Sequence, residues 1–266
     1  MNVSGLKISI VTVVFNRVDM ISAAMESVLR QTHPSVEYIV VDGGSSDGTV
    51  DKIREFEPKF NGRMRWISEK DHGIYDAMNK GIRMATGDVV AILNSDDFYH
   101  RTDTLSRVAA AFAEDPELEI VYGDNLYVDR NDLSYVVRYA AGSNYTRITA
   151  RLGVMPPHAT FFTYRRNFEQ YGYYHEHYKI AADYELELRF LERFRLKSRY
   201  LPFAFMTMRI GGESTCGWRA NWISLKECSM ACRENDIYTN PVLQLLKLAI
   251  KFPQKFRRGP IAQFGE

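Results

Sequence analysis

Residues 36–48 read VEYIVVDGGSSDG. A run dominated by valine, isoleucine and tyrosine stops at Asp42 and gives way to a turn of glycine, serine and aspartate. Such a run does not alternate apolar with polar, so it reads as a strand covered on both faces, the habit of parallel sheets. The same grammar recurs three times. Leu6–Phe15 ends in Asn16, Met64–Ser68 in Glu69-Lys70-Asp71, and Val89–Leu93 in Asn94-Ser95-Asp96-Asp97. Between the strands lie stripes at helical spacing: Ile21, Met25, Val28 and Leu29; Val50, Ile53 and Phe56; Ile74, Met78, Ile82 and Ala85. Asp47 is placed to cap the second of these helices. Strand and helix in strict alternation predict βαβ units in an open, mostly parallel twisted α/β sheet flanked by helices.

The 266 residues carry 34 Lys+Arg against 33 Asp+Glu, a net charge of +1, so no global field draws the chain to nucleic acid. With 45% hydrophobic and 25% charged residues, disordered and collagen-like classes are excluded. Three cysteines, Cys216, Cys228 and Cys232, form no C-x-x-C pair and read as reduced thiols. No apolar run reaches the ~18 residues of a spanning helix. Lys7 before Ile8–Phe15 mimics a signal peptide, but Asn16 and Arg17 follow instead of a small-residue cleavage site.

After Asp97 the rhythm loosens. Thr102–Ala113 reads as a helix, Ile120–Tyr122 as a short strand closed by Gly123-Asp124, and Leu126–Tyr139 as a hairpin. Asp183–Phe194 reads as a helix and Pro202–Met208 as a strand. The expected organisation is a single domain over residues 1–215, with a nucleotide-type half (1–97) and a second half (98–215), then a basic helical tail over 216–266. In that tail Leu243–Phe252 reads as an amphipathic helix with Lys247 and Lys251 on its polar side, followed by Lys255, Arg257 and Arg258. It either packs on the domain or lies on an anionic membrane surface.

The chemistry lies at the strand ends. In an open α/β sheet the carboxyl ends of parallel strands line the ligand crevice, so several carboxylates would meet in one cleft. Two like charges ~4 Å apart cost about 4 kcal/mol at an effective dielectric near 20. The cluster needs a hard divalent cation, or hydroxyl and N–H donors from a ligand. The familiar alternatives are missing: no G-x-G-x-x-G follows the first strand, and there is no P-loop, H-E-x-x-H or G-x-S-x-G.

Several segments together resemble an inverting family-2 glycosyltransferase of the GT-A fold. They are IVTVVFN (10–16), SVLRQT (27–32), VVDGGSSDGT (40–49), SEKDHGIYDAMNKGIRMATGD (68–88) and LNSDD (93–97). The likeness continues through YGD (122–124), PHATFF (157–162), AADYEL (181–186) and MRIGGES (208–214). The resemblance implies transfer of a sugar from a nucleotide-sugar to an acceptor hydroxyl. It implies Mn²⁺ or Mg²⁺ as cofactor and a glycan or lipid-linked sugar as acceptor, in exopolysaccharide, O-antigen, capsule or glycolipid synthesis. The expected place is the cytoplasm, peripheral at the inner face of the membrane.

Residue by residue, the resemblance puts Thr12, Asn16, Asp42, Asp71, Asn79, Lys80 and Asp96 on the donor, with Gly211, Gly212 and Ser214, next to Arg209, in a loop that closes over it. The ordinary readings are an Asx-turn at Asp42 and a solvated helix face at Asn79 and Lys80. The metal motif reads Ser95-Asp96-Asp97 rather than Asp-x-Asp, and Asp97 is the favoured ligand, with His158 as a further ligand. Asp183, whose ordinary reading is a first-turn acid at a helix dipole, is the expected general base. Glu185, two residues on, would face elsewhere. Two rival readings stand beside this one: sugar-phosphate nucleotidyl transfer, whose glycine-rich loop is missing, and an inactive nucleotide- or glycan-binding partner in an assembly complex. No basic–aromatic nucleic-acid module is present.

Overall fold

β1 (Ile8–Val14) lies between β2 (Val36–Asp42) and β4 (Val89–Asn94), with β3 (Met64–Ser68) outside β2, all parallel. These coordinates come from a computed structural model that describes residues 5–129, 132–210, 218–240, 243–244, 246, 250 and 252–264. Every residue of β1 and β2 is buried because helices cover both faces. Ile8, Ile10 and Val14 pack with Ile21 and Met25 of α1 (Ile21–Leu29) and with Ile53 of α2 (Thr49–Phe56). Val11 and Val13 pack on the opposite face with Tyr75, Met78 and Ile82 of α3 (Ile74–Met84). The expected stripe of α3 begins one residue late: Ile74 is 50% exposed and Tyr75 takes the buried position. Asp47 accepts from Thr49 N and Val18 N, both at 3.0 Å, so it caps α2 from outside and ties it to the end of β1.

The rest of the chain extends the sheet with mixed pairing. After β5 (Phe98–Tyr99) and α4 (Thr104–Glu114) come β6 (Ile120–Val128), β7 (Tyr135–Ala140), α5 (Arg147–Arg151), β8 (Phe162–Tyr164) and α6 (Arg165–Tyr171). α7 (Ala182–Leu188), β9 (Ser198–Arg209), α8 (Trp218–Glu234) and β10 (Gly259–Pro260) complete the described elements. The sheet runs β10-β7-β6-β8-β4-β1-β2-β3, with β9 beside β6 and β5 on β9.

Two expectations are corrected. Gly123-Asp124 does not close the strand; β6 runs through it to Val128, with register shifts on either side of Asp124. A Cβ at Gly123 would lie 2.3 Å from the Phe205 ring, so glycine is what lets β9 come this close. Asp124 is buried yet satisfied, accepting from the hydroxyls of Tyr139 and Tyr200 and from Gly142 N. The helix expected to run to Phe194 stops being α-helical at Leu188 and finishes as a π-type turn over Arg189–Arg193. There the buried Arg189 guanidinium holds Glu185 at 3.0 Å and the carbonyls of Tyr171 and Tyr173. In the tail, much of Leu243–Phe252 lies outside the described residues, as do Gly211, Gly212, Ser214 and Cys216. The segment beyond it joins the sheet, where β10 pairs antiparallel with β7 and Ile261 and Phe264 pack against Leu126, Val128, Val136 and Ala204.

Candidate active site

The register sets the carboxyl ends of the four parallel strands level: Val14 opposite Asp42, Asp42 opposite Ser68, Val13 opposite Asn94. The first carboxylate is fully buried. Asp42 Oδ2 accepts from Gly44 N (3.1 Å), Ser45 N (3.0 Å) and Ser68 Oγ (2.6 Å), an Asx-type turn that fixes the loop. Asp42 Oδ1 is equally buried and accepts nothing. An orphaned buried carboxylate oxygen is costly and marks a place where a donor group is wanted.

Asn16, in the left-handed region at φ 51°, stitches this loop to β1, its Oδ1 accepting from Ser46 N at 2.9 Å and its N donating to Ser45 Oγ at 2.8 Å. Thr12 sits deeper in β1, fully buried, accepting from Tyr38 Oη at 2.9 Å. Phe15, between them, is 59% exposed, and a Cβ on Gly43 would stand 3.4 Å from its ring and 2.9 Å from Asp71 Oδ2. Sequence reasoning passed over Phe15 as strand. The signal was an aromatic ring at the cleft end of a strand, immediately before the polar turn.

Lys80 on α3 is the cation of the β3 end. Its Nζ reaches Asp71 (2.7 Å), Glu69 (2.9 Å) and Asp76 (3.2 Å), and these carboxylates, Asp71 foremost, hold the ammonium well above its usual range. Asn79 behaves differently from expectation. It is buried, and both amide hydrogens are spent on Tyr174 O (2.9 Å) and Glu176 Oε1 (3.0 Å), while its Oδ1 accepts from Tyr174 N. It clamps the loop before α7 to α3 and has no amide hydrogen left for a donor molecule.

At the end of β4 the two aspartates part company. Asp96 is half-buried, whereas Asp97 is 1% exposed and takes a single side-chain hydrogen bond, from Asn94 Nδ2 at 3.0 Å. Burial, then the Asp96 charge, push the Asp97 carboxyl well above its usual range, against Asn94 and the Arg209 cation. Arg209, at the end of β9, donates to Asp96 O at 2.8 Å and lies over the Phe98 ring, so β9 is tied to this turn. A desolvated carboxyl with one donor and a like-charged neighbour is a fit for a hard cation with oxygen ligands.

Asp183 lies in the first turn of α7, half-buried, accepting from Tyr184 N at 2.8 Å. The helix start is held from outside: Glu227 of α8 accepts from the backbone N of Lys179, Ile180 and Ala181, each at 2.9 Å. Tyr75, at the start of α3, donates to Ile180 O at 2.6 Å and stacks on Tyr174. These contacts bring the loop before Asp183 against the helix that leaves the β3 end. Glu185 faces away, as expected, into Arg189 and Asn235.

His158 stands with Asp183's helix. Its Nδ1 meets Glu187 Oε1 at 2.9 Å and its Nε2 meets Tyr174 Oη at 2.9 Å, so both ring nitrogens are engaged. Burial would lower the imidazole, but the Glu187 hydrogen bond and charge, with that of Asp183, raise it. Burial drives the Glu187 carboxyl up to about 7, with Asp183 adding and His158 opposing. Glu187 was not foreseen, although its i,i+4 spacing from Asp183 puts both on one helix face.

The model of glycosyl transferase family 2 matches residues 9–207. A PGL/p-HBAD biosynthesis glycosyltransferase of Mycobacterium tuberculosis is 32% identical over 193 residues, 73% of each chain. The mannosyltransferase PcManGT from Pyrobaculum calidifontis, solved with GDP-Man and Mn²⁺, superposes with TM-score 0.67 and 18% identity over 94% of this chain and 73% of that one. TarS of S. aureus, solved as residues 1–349 with UDP-GlcNAc, gives TM-score 0.66 and 18% identity over 92% and 70%. Against another TarS structure the chain spans 44% of the length of its counterpart, at TM-score 0.62 and 18% identity over 95% of this chain.

Proposed function

Because the chain belongs to glycosyl transferase family 2 and is a glycosyltransferase of mixed α/β GT-A fold, we propose that it is a metal-dependent, inverting one. The observation that carries this reading is Asp97, a carboxyl buried at a strand end beside Asp96 with one hydrogen bond. Asp97 is the residue to hold Mn²⁺ or Mg²⁺, with Asp96 beside it toward ribose. A divalent ion there supplies positive charge that offsets the leaving nucleoside diphosphate. PcManGT, solved with Mn²⁺, supports that choice of ion.

The chain's own groups do the rest. Asp42 Oδ1 accepts from the base or ribose, Asp71 acts beside it with Lys80 balancing charge, and Phe15 offers a face on which the base stacks. Asn16 holds the loop to the end of β1, Thr12 stands deeper in β1 against Tyr38, and Gly211, Gly212 and Ser214 stay assigned to the donor. His158, with both nitrogens engaged, serves better as a group that positions Asp183's surroundings than as a metal ligand.

Inversion requires the acceptor oxygen to attack the anomeric carbon opposite the leaving group. A sugar hydroxyl is too weak an acid to ionise unaided, and a positioned base contributes 10²–10⁴-fold. Asp183 takes that proton: the acids at the strand ends are committed to the donor, and Glu227 and Tyr75 hold the loop that delivers Asp183. The acceptor is a glycan or lipid-linked sugar of cell-envelope polysaccharide or glycolipid synthesis, a reading that fits relatives named for PGL/p-HBAD biosynthesis.

The test is calorimetry with Mn²⁺ and a nucleotide-sugar panel, run alongside a transfer assay. Asp97→Ala should lose metal-dependent donor binding. Asp183→Asn should bind donor as wild type does and lose transfer by about 10²-fold or more. Unimpaired binding in the first variant, or near-normal turnover in the second, overturns the corresponding role.

A further inference from the structure

The loop between α6 and α7 carries two histidines that the transfer reaction leaves unused. His175 and His177 meet Glu234, the last residue of α8, and one ligand atom from each of the three lies within 4.8 Å of the other two. His177 Nε2 is 3.6 Å from Glu234 Oε1, too long for a hydrogen bond. His175 Nδ1 is buried without a hydrogen bond, 3.5 Å from Glu185 Oε2. The two imidazole rings stack with centroids 5.5 Å apart. Glu234 is already oriented, because its other oxygen accepts from Tyr178 Oη at 2.7 Å. That is the outer hydrogen bond that ligating carboxylates characteristically have.

We propose that His175, His177 and Glu234 form a second divalent-metal site, of zinc type, that pins the loop preceding Asp183 to the end of α8. The ligand chemistry sets the class of ion. Two imidazoles and one carboxylate suit Zn²⁺, whose tetrahedral shell would be completed by water, whereas the all-oxygen strand ends suit Mn²⁺ or Mg²⁺. His177 and Glu234 are exposed enough to admit an ion from solvent. The frame is rigid on both sides: Glu227, two helical turns before Glu234, already binds three backbone N–H groups of the same loop.

The site is separate from the donor's, so it can be tested without nucleotide. Zn²⁺ is titrated calorimetrically into the untagged chain. Wild type should bind one equivalent at micromolar concentration and melt at higher temperature with the metal. His177→Ala and Glu234→Gln should each weaken binding at least about tenfold, and Tyr178→Phe, which removes only the outer hydrogen bond, about tenfold. Asp97→Ala should bind Zn²⁺ as wild type does. His177 is half-exposed, so its variant should fold, which far-ultraviolet circular dichroism checks. No Zn²⁺ binding by wild type, or equal binding by a folded His177→Ala, overturns the proposal.

Discussion

Glu37 shows what a single buried charge does in this chain. It sits in β2 with its carboxylate accepting from Ser9 Oγ (2.5 Å), Thr86 N and Thr86 Oγ1 (both 2.8 Å) and Arg65 (2.8 Å). Burial alone would raise the carboxyl, but the Ser9 and Thr86 hydrogen bonds and the Lys7 charge outweigh it and bring it from 4.5 to about 2. A depressed carboxyl stabilises the fold above its unfolded value and loses that contribution as pH falls through the folded one. The window is therefore about 4.5 down to about 2, and the shift corresponds to about 3 kcal/mol. Glu37→Gln should be less stable at neutral pH and should show a flatter acid limb across that window. Denaturant titrations at stepped pH check this, and parallel wild-type and variant curves would refute it. Asp97 is the opposite case, a buried carboxyl with too few donors. The contrast lies in the donors: Glu37 is met by Ser9, Thr86 and Arg65, Asp97 by Asn94 alone among the described side chains.

At the scale of elements, the approach of α3 to the sheet decides where Asn79 and Lys80 stand. Gly81 lies at the contact: a Cβ there would fall 2.2 Å from Val11 Cγ1 and 3.3 Å from Val41 Cγ2. Valine in a buried strand cannot turn aside easily. Gly81→Ala gains about 1 kcal/mol of helix propensity but meets an overpacking cost of about 1–3 kcal/mol. The net expectation is destabilisation by about 1 kcal/mol, with Lys80, the next residue, displaced from Asp71. Thermal unfolding and the affinity for free nucleoside diphosphate should fall together. A more stable variant would mean that the helix lifts without cost. α7 is a second element fixed by its neighbours. The backbone N–H groups of the loop that leads into it, at Lys179, Ile180 and Ala181, are met by Glu227, 46 residues further along from Ala181, and no local cap in the sequence announces this.

For the whole molecule, the tail joins the fold at the far edge of the sheet. β10 pairs with β7, and Ile261 and Phe264 cover a small apolar cluster around Val128 and Val136. Truncation after Asn240 should therefore lower the melting temperature. If the basic tail also meets an anionic membrane, the intact chain should co-sediment with anionic vesicles and the truncated one should not, while transfer to a soluble acceptor survives. An unchanged melting temperature would remove the packing role, and equal sedimentation the membrane role. The first hundred residues were legible because a continuous apolar run followed by a polar turn is a local signal, and the pattern of parallel strands then forces Asp42, Asp71 and Asp97 to one edge. What tertiary structure alone decided is which polar groups are already spent. Asn79 is consumed by the Tyr174 backbone and His158 by Glu187 and Tyr174, while Asp42 Oδ1 is left over. Hydrogen bonds between residues far apart in the chain leave no periodic trace in a sequence, so satisfaction, unlike strand and helix, is read only from the folded molecule.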